Sequence, residues 1–190
     1  CVASFTKAAK WYTLAAEMGN GAGLCNMGYC YYQGLGVGQD YSKAVECFKR
    51  AVEMNYPHGY TNLGSCYEHG IGVEKNPSEA LRLYRIAAQQ GYAGGQFSMG
   101  VCYHNGIGTT KNLQEAIKWY QMAAEQGHTE AQTNLGNCYQ DLGQDHSAVK
   151  WYRIAADKGN RVAQNNMGDS YYNGCGVEKN YRDAYKWYLR

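Results

Sequence analysis

Apolar and small residues recur along the chain in two alternating helical patterns. In Ala131-Gln132-Thr133-Asn134-Leu135-Gly136-Asn137-Cys138-Tyr139 they occupy offsets 0, 4, 5, 7 and 8, which is one face of a helix. The pattern returns at 23–31, 59–67, 95–103 and 163–171, and it predicts a helix A in each copy. The second pattern is a small residue, an aromatic pair or its substitute, then more alanine. Ala116, Trp119, Tyr120 and Ala123 share one side of such a helix B, with counterparts beginning at Ala8, Ala44, Ala80, Ala148 and Ala184.

The two patterns form one repeat. Gly19, Asn55, Gly91, Gly127 and Gly159 close successive helices B at spacings of 36, 36, 36 and 32 residues. A helix turn that short makes neighbours antiparallel, and a hairpin with one apolar side must stack on another to bury it. The chain therefore reads as a single array over 1–190: an opening helix B in 1–19, then repeats 20–55, 56–91, 92–127, 128–159 and 160–190. Between A and B stand Gly34-Leu35-Gly36, Gly70-Ile71-Gly72, Gly106-Ile107-Gly108 and Gly174-Cys175-Gly176, which suit a left-handed helix end with the apolar residue folded back. Asp40, Asn76, Asn112 and Asn180 follow as candidate caps of helix B, with Ser42 and Ser78 as possible sharers. The copy after Tyr139 lacks the double-glycine turn and is four residues shorter, predicting a shorter loop over an undisturbed core.

The same register explains residues that otherwise look chemical. Gly28, Gly64, Gly100, Gly136 and Gly168 each cost about 1 kcal/mol inside a helix, so a steric demand is expected, met by the broad ring of helix B. Trp11, Trp119, Trp151 and Trp187, with the aromatic that follows each, are expected to pack B on A; Trp119→Ala would then cost roughly 3–5 kcal/mol. Cys30, Cys66, Cys102 and Cys138 occupy one helix A position. Repeats about 18–20 Å apart cannot bring them within the roughly 7 Å that a disulfide needs, so they read as small buried thiols.

Charge and composition add exclusions. The net charge of +2, from 18 Lys and Arg against 16 Asp and Glu, gives no general case for nucleic acid. No run is long enough for a transmembrane segment. No Cys-x-x-Cys occurs and the five histidines are scattered, so neither metal nor cofactor is expected. The Gly-x-Gly pairs lack the Lys-Ser or Lys-Thr of a phosphate loop.

The combination of Gly-x-Gly-Val-x-x-Asp/Asn, Ala-x-x-Trp-Tyr-x-x-Ala-Ala-Glu-x-Gly and Ala-Gln-x-Asn-Leu-Gly-x-x-Tyr resembles the Sel1-like repeat, a relative of the tetratricopeptide repeat. It covers nearly the whole chain. The resemblance implies an all-α, right-handed superhelical solenoid of antiparallel hairpins, its concave side lined by helices A, and a non-catalytic adaptor or scaffold role. A cysteine-rich secreted branch would carry disulfide cysteines at Ala16 and Leu24, and at Ala88 and Gln96. Their absence favours the cytoplasm, with lumenal or secreted locations left open.

Partner contacts are expected opposite the core face of helix A. The candidates are Asn26, Tyr29, Tyr32, Asn62, His69, Phe97, Val101, His104, Asn134, Asn137, Asn166, Asp169 and Tyr172, for a protein or peptide partner. Cys25 and Thr133 fall on the same stripe. Phe97 stands out as an aromatic where other copies have Cys, Thr, Thr and Asn. Asn62, Asn134 and Asn166 form a ladder that either holds an extended backbone or ties neighbouring helix ends. Two other readings stay open: a hydrolase-like enzyme using His69 or His104, and a passive spacer between domains. The chain opens within helix B and stops before the next Ala-Ala-x-x-Gly, so terminal repeats or other domains of a parent protein are expected.

Overall fold

The computed structural model describes residues 2–190, with side chains from Thr6 onward; Cys1, the start of the expected opening helix, lies outside the described residues. Among the described residues there are eleven helices and no strand: α1 (Val2–Glu17), α2 (Gly21–Gln33), α3 (Tyr41–Glu53), α4 (Pro57–His69), α5 (Pro77–Gln89), α6 (Ala93–Asn105), α7 (Leu113–Glu125), α8 (Thr129–Asp141), α9 (Asp145–Asp157), α10 (Arg161–Asn173) and α11 (Tyr181–Tyr188). The even-numbered helices are A and the odd-numbered ones B. Two compact units are present, one ending at Lys111 and the other beginning at Asn112.

Four of the five A-to-B turns are built the same way. Gly34, Gly70, Gly106 and Gly174 sit at φ of 70°, 73°, 78° and 80°, a region that costs an L side chain about 1–2 kcal/mol. From there Leu35, Ile71, Ile107 and Cys175 donate their backbone N–H back to the carbonyls of Cys30, Cys66, Cys102 and Ser170. The second glycine answers to a neighbouring repeat instead. A Cβ on Gly72 would collide with the Tyr41 carbonyl, and one on Gly108 with that of Pro77, so this loop rests on the start of the preceding helix B. The caps are Asp40, Asn76, Asn112 and Asn180, whose side-chain oxygens accept from Lys43, Glu79, Glu115 and Asp183 N–H groups at 3.0–3.1 Å. Ser42 and Ser78 lie inside the helices, so the cap is not shared.

In the shortened copy, Gln144 N–H still reaches the Tyr139 carbonyl at 2.8 Å, as Asp40 reaches Tyr31 and Asn76 reaches Tyr67 in their repeats. Leu135, Cys138 and Tyr152 stay fully buried there. The deletion therefore removes loop and leaves packing intact.

The helical glycines answer to one ring per hairpin. A Cβ on Gly28 would lie 2.5 Å from Phe48 Cε1, and one on Gly64 would lie 2.6 Å from Tyr84 Cε1; Gly136 faces Tyr152 and Gly168 faces Tyr188 in the same way. The contacting ring is the second of the aromatic pair. Tyr84, Tyr120 and Tyr152 are buried, while Trp119 and Trp151 are half-buried and Trp11 is 68% exposed. Trp187 is buried as well, so the tryptophans expected to pack B on A do so unevenly; each stands one residue, about 100° of helix, from the ring that meets the helix A glycine.

At the B-to-A turn a helix B alanine meets the next helix A near its start. Cβ atoms on Gly23, Gly59 and Gly95 would overlap Ala15, Ala51 and Ala87. Asn55 takes the glycine position at φ 55°. Asparagine tolerates that region better than most residues, and its side chain accepts from Tyr60 Oη at 3.0 Å and Gln90 Nε2 at 2.6 Å.

Candidate functional site

The core face of helix A is saturated by these contacts, which leaves the opposite face as the surface with chemistry to offer. It is narrower than the sequence pattern implies. Cys25 and Thr133, placed on the outer stripe by counting, are buried at 6% and 3% exposure. Asn62 hydrogen-bonds the Cys25 thiol, and burial pushes that thiol up to about 12. The first position of the outer stripe is thus lost to packing in two copies; Thr61 and Phe97 at that position are half-buried and Asn165 is exposed.

In the unit ending at Lys111, α2 and α4 place Tyr29, Tyr32 and Asn62 around one cavity of ≈ 200 Å³, completed by Phe48, Ser65 and Cys66. Tyr29 is 53% exposed at its edge. Tyr32 is held edge-on to Tyr41, with ring centroids 5.5 Å apart. Asn26 is exposed, and Val101 and His104 on α6 are half-buried.

The cavity has a local cause. In three other hairpins the core ring carries a hydroxyl that donates to the outer face of its helix A: Tyr84 to Glu68 at 2.8 Å, Tyr152 to Asn137 at 2.8 Å and Gln140 at 3.0 Å, and Tyr188 to Asp169 at 2.6 Å. Burial, then the hydrogen bond to the Glu68 carboxylate, pushes the Tyr84 phenol well above its ordinary range. Phe48 has no hydroxyl. Tyr29 and Tyr32 stand where the next copy has Ser65 and Glu68, so polar bridging there is replaced by aromatic walls.

His69 lies apart. It is exposed, its Nδ1 is 3.0 Å from the Ser65 carbonyl and its Nε2 is 3.8 Å from Glu68, and with Glu68, Lys75, Pro77 and the loop at Gly106 it lines a separate groove of ≈ 370 Å³. The ring contacts a backbone oxygen, not a nucleophile.

In the unit beginning at Asn112, the outer face is knitted internally. Asn166 Nδ2 donates to Asn137 Oδ1 at 3.0 Å, joining α10 to α8, and the same Asn137 oxygen accepts from Tyr152. Asp169 is occupied by Tyr188. Asn134 is half-buried and Tyr172 is 52% exposed, its ring 5.2 Å from that of Tyr181. Of the three ladder asparagines, Asn166 makes a tie of this kind, to Asn137 on the neighbouring helix A.

Phe48, Ser65 and Cys66 are the cavity residues missing from the expected set. Phe48 could have been found as the lone ring without a hydroxyl among its equivalents. Cys66 could not, because its thiol reads as core. Among the described residues no group of three His, Cys, Asp or Glu could hold a metal ion, and no helix is long and apolar enough to cross a membrane.

A family model described as Sel1 repeat matches residues 3–20, 21–56, 57–92, 93–128, 129–160 and 161–190. Among solved structures, a protective antigen present in uropathogenic Escherichia coli strains, displaying an SLR fold, is 37% identical with a TM-score of 0.89 over 96% of this chain and 40% of that one. A Sel1 repeat protein from Oxalobacter formigenes is 36% identical with a TM-score of 0.84, over 90% of this chain and 72% of that one. An immunity protein from Pseudomonas aeruginosa shares the fold at 21% identity and a TM-score of 0.68, over 95% of this chain and 72% of that one. No curated protein sequence matches the chain. The chain spans less than half the length of the antigen. The fold class is the all-α solenoid of antiparallel helix hairpins.

Proposed function

We propose that the chain, which belongs to the Sel1 repeat family, is a non-catalytic scaffold that holds a protein or peptide partner on the surface lined by its A helices. Sel1 repeat proteins generally serve as protein-interaction scaffolds, and the fold is generally a non-enzymatic one. The observation that carries the reading is the cavity between α2 and α4, walled by Tyr29, Tyr32 and Phe48 and edged by Asn62 and Ser65. Concave, largely aromatic sites with a few polar groups at the rim are where proteins seat an anchoring side chain. His69, one of the two histidines a hydrolase reading would use, points its Nδ1 at the Ser65 carbonyl. A passive spacer would have no use for an exposed aromatic cavity.

A photo-crosslinking amino acid at position 29 tests this in cells, with position 49, an exposed helix B site, as the reference. Discrete protein adducts at 29 and none at 49 are expected. In the same assay Tyr29→Ala with Tyr32→Ala is expected to remove the partner, and Tyr29→Ala alone to weaken it with the melting temperature nearly unchanged, since Tyr29 is more exposed than buried whereas Tyr32 is half-buried against Tyr41. Equal adducts at both positions would overturn the placement of the surface.

A further inference from the structure

We infer that this cavity takes a large apolar side chain of a peptide that also carries Lys or Arg close by, and that acidic peptides are rejected. The inference rests on the scaffold reading and names the chemistry of its partner.

Two independent features of α2, α4 and α6 lead to it. The first is the missing hydroxyl. Where the ring is Tyr84, its O–H crosses to Glu68 and closes the outer face; where it is Phe48, the ring edge and two tyrosines leave ≈ 200 Å³ open. The aromatic walls favour an apolar side chain there, with Asn62 and Ser65 at the edge, whereas a charged one would have to be desolvated.

The second is charge. The three A helices of this unit contain no Lys or Arg, and their single carboxylate is Glu68. The B helices α1, α3 and α5 hold Lys7, Lys10, Lys43, Lys49, Arg50, Arg82 and Arg85. A phosphorylated or acidic segment laid on the A face would thus find no cation there to pair with. Glu68 stands one helical turn beyond Ser65, a wall of the cavity, so a cation near the apolar anchor comes within reach of it. Its carboxylate is partly shielded, at 18% side-chain exposure; it accepts from Tyr84 Oη on one oxygen, and the other lies 3.8 Å from His69 Nε2. With about four acceptor sites on a carboxylate, capacity for a charge-assisted bond remains. Lys75 lines the separate groove with Glu68 and His69 and is absent from the cavity lining. Complementarity of this kind sets which partner binds more than how tightly.

The test is selection of a displayed random dodecapeptide library against the chain, followed by titration of the winning peptides against variants. Expected are peptides enriched in Leu, Met or Phe with Lys or Arg within a few residues, and depleted in Asp and Glu. Phe48→Tyr, which restores the ring of the other copies, is expected to weaken them about tenfold, a loss of ~1.4 kcal/mol. Glu68→Gln is expected to abolish the preference for Lys or Arg and flatten the salt dependence while keeping the apolar one. Acidic winners, or winners indifferent to both Phe48→Tyr and Glu68→Gln, overturn the inference; if they are still lost on Tyr29→Ala with Tyr32→Ala, the scaffold reading survives it. Winners indifferent to the tyrosine pair as well, or no winners at all, overturn both.

Discussion

Replacing Gly64 with alanine sets helix propensity directly against packing. In an isolated helix the change would stabilise by about 1 kcal/mol. Here the new methyl would lie 2.6, 2.9 and 3.2 Å from Cε1, Cδ1 and Cζ of Tyr84. That ring is 4% exposed and its hydroxyl is bonded to Glu68 at 2.8 Å, so it cannot swing away without giving up the bond. Overpacking costs roughly 1–3 kcal/mol, and a hydrogen bond to a charged group contributes about 1.5–3 kcal/mol when lost. The sum favours a net destabilisation of about 1.5–5 kcal/mol after the propensity gain. Gly28→Ala makes the same clash with Phe48, at 2.5 Å, but that ring holds no hydrogen bond and borders the open cavity. It is expected to cost at least about 1 kcal/mol less. Urea unfolding of both variants, followed by helical circular dichroism together with hydrogen exchange of α4 and α2, separates them even where a repeat array unfolds in parts. The reasoning is refuted if Gly64→Ala stabilises, or if Gly28→Ala proves the more damaging change.

Asn55→Ala is expected to lower stability by about 2 kcal/mol in the same urea assay, from the left-handed backbone and two lost side-chain bonds; Asn55→Gly isolates the latter with a smaller loss. Asn112→Ala removes the cap of α7 and is expected to cost about 1 kcal/mol, read as a shift in the urea midpoint without a change in slope. Trp151→Ala is expected to cost clearly less than Tyr152→Ala, because Tyr152 is fully buried and bonded to Asn137 whereas Trp151 is half-buried; equal losses would contradict the ring assignment. Burial raises the thiols of Cys66 and Cys138 to about 11 and of Cys25 and Cys102 to about 12 from an ordinary value of 9.0. Raised values in the folded state mean their contribution is whole below pH 9 and is lost as pH climbs toward 12, so a stability profile over that window is expected to fall steadily, with a shallower fall for Cys102→Ala.

The array was legible from the chain because each of its rules is local and repeated. The glycine pairs, the Asp and Asn caps and the thiol position recur at fixed spacing, and each maps onto a contact within one hairpin or with the next. Two things were not. Counting by turns places Cys25, Thr133 and Phe97 opposite the core, yet a helix in a stack has a third side, facing the A helix of the next repeat, and Asn62 reaches Cys25 along it. Likewise Trp and Tyr at adjacent positions have equal claims on a hydrophobic pattern. Only the clash at Gly64 and Gly136 shows that the tyrosine points at helix A and the tryptophan beside it.

That choice of ring has a consequence for the outer face. A tyrosine whose Cε1 presses on the helix A glycine carries its hydroxyl past the helix to the far side, so the core itself supplies polar atoms to the working surface. Glu68, Asn137, Gln140 and Asp169 are fixed from behind in this way. Pre-set side chains lose little freedom when a partner docks, which favours binding over an equally polar but mobile face. The copy with Phe48 forgoes that bracing and gains volume. The presence or absence of that one ring oxygen, together with the residues at the Tyr29 and Tyr32 positions, therefore separates a hairpin whose outer face carries a braced polar group from one with an open apolar seat.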